Sequence, residues 1–161
     1  YYGATTINYK GSLSTQVQDR QICSWLMGAP RVFAGDLAGL TEENIQHYNK
    51  RFKLLDRLQT SYNIYNHFQF SGVPAPTDTD WHWWGKLNNG NGAVVVVRGH
   101  EGAASQKINI PWVEDDQKYA LKLCFSKKDL GTFTGRDLKD GKVKISLPKL
   151  GQGIIEISEQ N

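Results

Sequence analysis

The sequence predicts an α/β segment followed by an all-β domain, and three observations carry that prediction. Residues 1–66 alternate short β-branched runs with amphipathic helical patterns. Residues 71–76 (SGVPAP) hold two prolines two apart, which suit neither a helix nor a central strand. Beyond them the helical period gives way to short strand patterns separated by turn residues. The expected units are therefore 1–66, a βαβα segment, and 67–161, an antiparallel β-sandwich.

In chain order, residues 4–8 (ATTIN) read as a strand, and Lys10-Gly11-Ser12 as the turn after it. Ser14 is placed to cap a helix running to about Met27, which Gly28 and Pro30 should stop. Residues 31–34 (RVFA) read as a second strand, ended by Gly35-Asp36. The clearest helix follows. Thr41 is its N-cap, Leu40 and Ile45 stand at the two positions of a hydrophobic staple, and Glu42 and Glu43 occupy the first turn. Ile45, Tyr48, Phe52, Leu55, Leu58, Tyr62 and Tyr65 recur at spacings of three and four, one apolar stripe. Lys50, Arg51, Lys53 and Arg57 lie off that stripe and are expected on a solvated face.

Strands are then expected at 81–87, 93–98, 107–110, 119–125, 142–147 and 154–158. The breaks between them include Asn88-Asn89-Gly90-Asn91-Gly92, Glu114-Asp115-Asp116 and Asp140-Gly141. Tyr119, Leu121 and Leu123, and likewise Val143, Ile145 and Leu147, alternate with more polar neighbours, as half-buried antiparallel strands do. Residues 94–97 are four valines without alternation, so this strand should be central and covered on both faces. Two parallel strands with their helices cannot close a sheet alone, so 1–66 reads as the tail of a larger α/β unit.

Composition narrows the function classes. The chain has 161 residues, 39% apolar and 11% aromatic, so a packed core is expected rather than disorder. The longest apolar run, 93–97, is far short of the roughly 20 residues a spanning helix needs, so no membrane partner is expected. The net charge of +3 comes without a block of like charges, which gives no sign of a nucleic-acid partner. No phosphate loop or dinucleotide fingerprint occurs, and no cofactor is expected. Cys23 and Cys124 have no metal spacing and sit in apolar patterns, the setting of buried free thiols. The only methionine is Met27 and the chain begins at Tyr1, so a processed or truncated start is expected.

Residues 7–17 (INYKGSLSTQV) and 24–37 (SWLMGAPRVFAGDL) resemble the last quarter of the catalytic barrel in the α-galactosidase/melibiase superfamily of glycoside hydrolases. There a strand leads into a "G-L-S…T-Q" helix start, followed by "L-W-A-x-x-x-A-P-L" and "G-N-D-L". An antiparallel β-sandwich follows that barrel. The tail is similar in plan, with GAVVVVRG at 92–99, LGTFTG at 130–135, LKDG at 138–141 and IIEI at 154–157. The fold class implied is an incomplete (β/α)8-barrel segment with a C-terminal antiparallel β-sandwich. The resemblance implies a retaining glycosidase whose nucleophile and acid/base carboxylates, about 5–5.5 Å apart, lie on earlier barrel strands, upstream of Tyr1. It also implies a carbohydrate substrate, a partner in the preceding barrel portion, work on external glycans and hence a secreted or periplasmic setting. No catalytic residue is then expected within the chain.

On that reading Asp36 follows a strand on the active rim of the barrel, where a carboxylate can accept two sugar hydroxyls. Asn8 and Tyr9 end the preceding strand on the same rim, and Tyr9 has a face on which a sugar could stack. Trp81, Trp83 and Trp84 are open to two readings. They form either a sugar platform, which would make the chain a non-catalytic carbohydrate-binding sandwich, or a hydrophobic seam between barrel and sandwich. On a strand, Trp81 and Trp83 share one face and Trp84 takes the other. Asp78, Asp80 and His82 have a spacing that could hold a cation, though two carboxylates in a proline-rich loop are commonly turn formers, and no metal is expected.

Overall fold

β1 (Ala4–Tyr9) and β2 (Ala29–Gly35) pair in parallel, joined through α1 (Thr15–Trp25). The computed structural model describes residues 4–9, 13–35, 39–70 and 80–161. The Lys10-Gly11-Ser12 turn, Asp36, Asp78 and the 71–76 connector lie outside the described residues. Ser14 caps α1, its hydroxyl accepting from the Val17 N–H. The helix closes at Trp25 through a turn in which Leu26 and Met27 donate to the carbonyls of Cys23 and Ser24. Gly28 and Pro30 therefore lie beyond its end, and Pro30 is already inside β2, opposite Thr5.

α2 (Glu42–Tyr62) starts at Thr41, whose hydroxyl accepts from the Asn44 N–H. It ends at Asn63, which takes the left-handed conformation that asparagine tolerates at such a cap. Its buried face runs through Asn44, Tyr48, Arg51, Leu55 and Leu58. The staple is a correction. Ile45 is exposed, because Asn44 turns inward to bond the backbone of Leu13, and the next position lies about 100° round the helix.

Among the described residues the sandwich has seven strands. One sheet has the order β3 (Trp81–Asn88), β4 (Asn91–Arg98), β9 (Gln152–Gln160), β6 (Lys118–Leu123), β7 (Lys128–Thr134), all antiparallel. A second pairs β5 (Ser105–Ile108) with β8 (Val143–Ser146). β3 and β4 form a hairpin around Asn89-Gly90, both at positive φ (49° and 79°), the pairing that two-residue hairpin turns select. β4 is the covered central strand its valines predict, with Ala93 to Val96 fully buried.

The large sheet is covered on both faces. Trp84, Ala93, Val95 and Ile154 pack against Ile22, Cys23 and Leu26 of α1 and its C-terminal turn, and against Tyr48, Leu55 and Leu58 of α2. Val94, Val96, Ile155 and Ile157 pack against Ile108, Ile110, Val143 and Ile145 of the small sheet and its flanks, and against Leu138. Leu138 belongs to α3 (Gly135–Lys139), a short helix opened by a reciprocal capping box between Thr134 and Asp137. β7 and α3 are additions to the six strands expected.

Candidate functional site

Parallel pairing fixes the rim. Asn8 is registered with Ala34 and Tyr9 with Gly35, so both strands end at the same level. Asn8, Tyr9 and the chain leading into Asp36 thus share one end of the β1–β2 pair, the end at which parallel α/β units present their ligand-binding loops. Asp36 itself lies outside the described residues.

The tryptophans stand elsewhere. Trp81 and Trp84 are buried, 6% and 4% exposed, and Trp83 is half-buried. Each indole N–H donates to a backbone carbonyl: Trp81 to Ala103 at 2.7 Å, Trp83 to Asn109 at 2.8 Å and Trp84 to Leu26 at 3.2 Å. Trp81 packs among the strands of the sandwich, while Trp84 faces the helices. The carbonyl of Leu26 lies just before β2 begins, whereas the rim lies at its far end. Seven residues at about 3.3 Å each separate the two levels by about 20 Å. The structure therefore brings Asn8 and Tyr9 together and keeps Trp84 apart from them.

Lys86 reinforces that anchor and escaped sequence reasoning. It shares a strand face with Trp84, is fully buried, and its Nζ donates to the Gly28 carbonyl at 3.1 Å, with the Phe68 ring 5.6 Å away. Burial pulls its ammonium down to about 8. Trp84 and Lys86 together hold the entry to β2 onto the sheet. The sequence signal for it was one lysine between Gly85 and Leu87, two residues from Trp84 and hence on the same strand face.

The solvated-face reading of the α2 cations needs correcting at one position; Arg57 is exposed as expected, though paired. Arg51 is buried. Its Nε and Nη2 fork onto the two carboxylate oxygens of Asp19 at 2.7 and 3.1 Å, and its guanidinium lies 3.9 Å from the Phe125 ring centre. His47 meets the same carboxylate at 2.7 Å. Arg57 forks onto Glu156 of β9 at 2.8 and 2.7 Å, and the Tyr62 hydroxyl donates to Glu156 at 2.9 Å. The Arg57 bond holds the Glu156 carboxyl below its ordinary range. Burial, then the bond to Glu156, pushes the Tyr62 phenol up to about 12. The reason is long-range pairing. Asp19 and Glu156 are distant in sequence from their arginines, so neither partner shows in the helical pattern.

Neither thiol is poised as a nucleophile. Cys23 and Cys124 are buried and unlinked. Burial, followed by the Asp19 charge, raises Cys23 well above its ordinary value, and burial raises Cys124 to about 11. Asp80 accepts the Trp81 N–H at 2.8 Å, the turn-forming role, and no cluster of metal-ligating residues occurs among the described residues.

No protein-family model matches the sequence, and no curated protein matches it. Solved structures do. The galactosidase domain of an α-galactosidase–sucrose kinase matches with a TM-score of 0.70 at 12% identity, over 98% of this chain and 22% of that one. A Bacillus halodurans protein assigned as an α-N-acetylgalactosaminidase matches with a TM-score of 0.64 at 13% identity, over 92% of this chain and 32% of that one. A family 27 β-L-arabinopyranosidase from Geobacillus stearothermophilus matches with a TM-score of 0.50 at 12% identity, over 92% and 32%. The chain spans less than a third of the length of each. The part matched is the C-terminal portion, where a β-sandwich follows the end of a barrel. The chain therefore has the fold of the C-terminal part of an α-galactosidase-like glycoside hydrolase.

Proposed function

We propose that this chain works as the barrel-closing and sandwich portion of a retaining glycoside hydrolase that cleaves α-galactoside-type bonds. The observation that carries the reading is the parallel β1–β2 pair, whose ends coincide at Tyr9 and Gly35. Among the described residues this sheet has only two strands, while parallel strands function inside larger sheets covered by helices. The pair thus offers edges to barrel strands that carry the catalytic carboxylates, one attacking the anomeric carbon and the other protonating the leaving oxygen. In this scheme the chain contributes rim groups: Asp36 accepts sugar hydroxyls, and Asn8 and Tyr9 line the approach. The sandwich buttresses the barrel through Trp84 and Lys86, which grip residues 26–28.

The test is turnover of an aryl α-galactoside by the native polypeptide from its source, beside the 161 residues alone. The native polypeptide should turn it over and the isolated chain should not. Asp36→Ala in the native polypeptide should raise KM by about tenfold or more with the melting temperature unchanged, the loss of a charge-assisted hydrogen bond. A native mass of 18.2 kDa without turnover would overturn the reading.

A further inference from the structure

A second site lies away from the strand rim, in a cleft of about 500 Å³ between α2 and the β6–β7 side of the large sheet. Six cations line it: Lys50, Arg51, Lys53 and Arg57 from α2, Lys122 from β6, and Lys127 from the β6–β7 turn. Glu156 is the one carboxylate in the lining, and it is already forked by Arg57. Arg51 is committed to Asp19. Lys50, Lys53, Lys122 and Lys127 are exposed and have no carboxylate within ion-pairing distance among the described residues. Lys127 sits at a φ of 57°, a left-handed conformation uncommon for lysine, which fixes it at the tip of its turn.

The arrangement is linear. Lys50, Lys53 and Arg57 fall on successive turns of one helix, about 5.4 Å apart along its axis. Lys122 and Lys127 form the opposite wall. We propose that this cleft binds an extended anionic polysaccharide, a glycan bearing sulfate or carboxylate groups along its chain. Such a chain presents charges at intervals along a narrow strand, which two cationic walls can flank. Nucleic acid fits less well. The lining has no aromatic face on which bases could stack, and a duplex is wider than a cleft of this size. A membrane surface fits less well again, since the site is concave and has no exposed apolar side chain to insert. The inference is independent of the catalytic reading, because it uses no residue of the rim.

The test is binding of the 161-residue chain to dextran sulfate, with neutral dextran as the uncharged reference. Dextran sulfate should bind with an affinity that falls as salt rises, and neutral dextran should not bind. Lys50→Gln with Lys53→Gln, and separately Lys122→Gln with Lys127→Gln, should each weaken binding by about tenfold, as the loss of two anion contacts predicts. These side chains are exposed, so melting temperatures should be unchanged. Lys107→Gln with Lys144→Gln removes the same charge from the small sheet and should leave binding within about twofold. Equal weakening by that control pair would show a diffuse charge effect and overturn the site. Tighter binding of a short DNA duplex, or of phosphatidylserine vesicles, through the same four lysines would overturn the ligand class.

Discussion

The two faces of the large sheet are equally dry and differently built. Toward the small sheet, β4 and β9 present Val94, Val96, Ile155 and Ile157 to Ile108, Ile110, Val143 and Ile145, an aliphatic centre flanked by the buried Trp81 and Tyr119 and, among the described residues, without a buried charge. Toward the helices, the same two strands present Val95 and Ile154, but the neighbours include Trp84, Tyr48, two cysteines and the buried Lys86. The polar groups on that side are satisfied one by one, by Leu26 and Gly28 carbonyls and by the Asp19 carboxylate. The aliphatic centre takes most of its strength from buried area, with hydrogen bonds from Trp81 and Trp83 only at its margin. An interface of placed hydrogen bonds sets orientation, which is what docking a barrel segment onto a sandwich requires.

That contrast can be broken most forcefully on the aliphatic face. Ile155→Ala should cost about 4 kcal/mol in urea unfolding, since the cavity lies among packed neighbours that cannot collapse. On the helical face, Asp19→Ala should cost about 3 kcal/mol, because it leaves the buried Arg51 guanidinium without its carboxylate. Asp19→Asn should recover part of that loss, and an unfolding midpoint equal to wild type for both would remove the network from the account. Trp84→Phe should cost about 2 kcal/mol, through the lost area and the unmet Leu26 carbonyl. Its near-ultraviolet circular dichroism should lose the Trp84 contribution while the far-ultraviolet signal of the folded backbone stays.

The smallest effect sharpens the comparison at its exposed margin. Glu156 is held below the ordinary carboxylate range, chiefly by Arg57. Its folded form therefore binds protons more weakly than the unfolded chain, so its contribution is present above about pH 4.3 and is lost as pH falls through the folded value. Tyr62 works in the opposite sense. Its folded value of about 12 exceeds that of the free phenol, so stability falls between about pH 10 and that value. Arg57 is half exposed, so Glu156→Gln should cost no more than about 1 kcal/mol at neutral pH and should flatten the acid limb of the profile. An unaltered acid limb would show that other carboxylates set it.

What was legible in the sequence was what local pattern controls. The four valines of β4 announced a strand buried on both sides, and Ser14 and Thr41 announced two helix starts through their hydroxyls. The opposite facing of Trp81 and Trp84 followed from the two-residue period alone. β7 was not legible because it is an edge strand, largely exposed, with only Leu130 and Phe133 as large apolar side chains. The inward turn of Asn44 was hidden because its partners, Leu13 and Gln18, come from another helix and its approach. At the rim, the side-by-side ends of β1 and β2 were expected from the βαβ order, and the register of Tyr9 with Gly35 was not. The cationic cleft needed the fold, since Lys122 and Lys127 reach it from a strand and a turn remote from α2.

The position of β9 also sets the order in which the sandwich can be built. It is the last strand among the described residues, yet it lies third in the sheet, between β4 and β6. Until residues 152–160 have been synthesised, β3–β4 and β6–β7 are two separate hairpins with no hydrogen bonds between them. Each then shows an open edge and apolar side chains that the finished sheet hides. The decisive closure joins segments about sixty residues apart, a non-local event that should be slow beside hairpin formation. A ribosome that stalls before residue 152 would thus hold two aggregation-prone hairpins, and a protease cut within β9 would part the sheet along its middle.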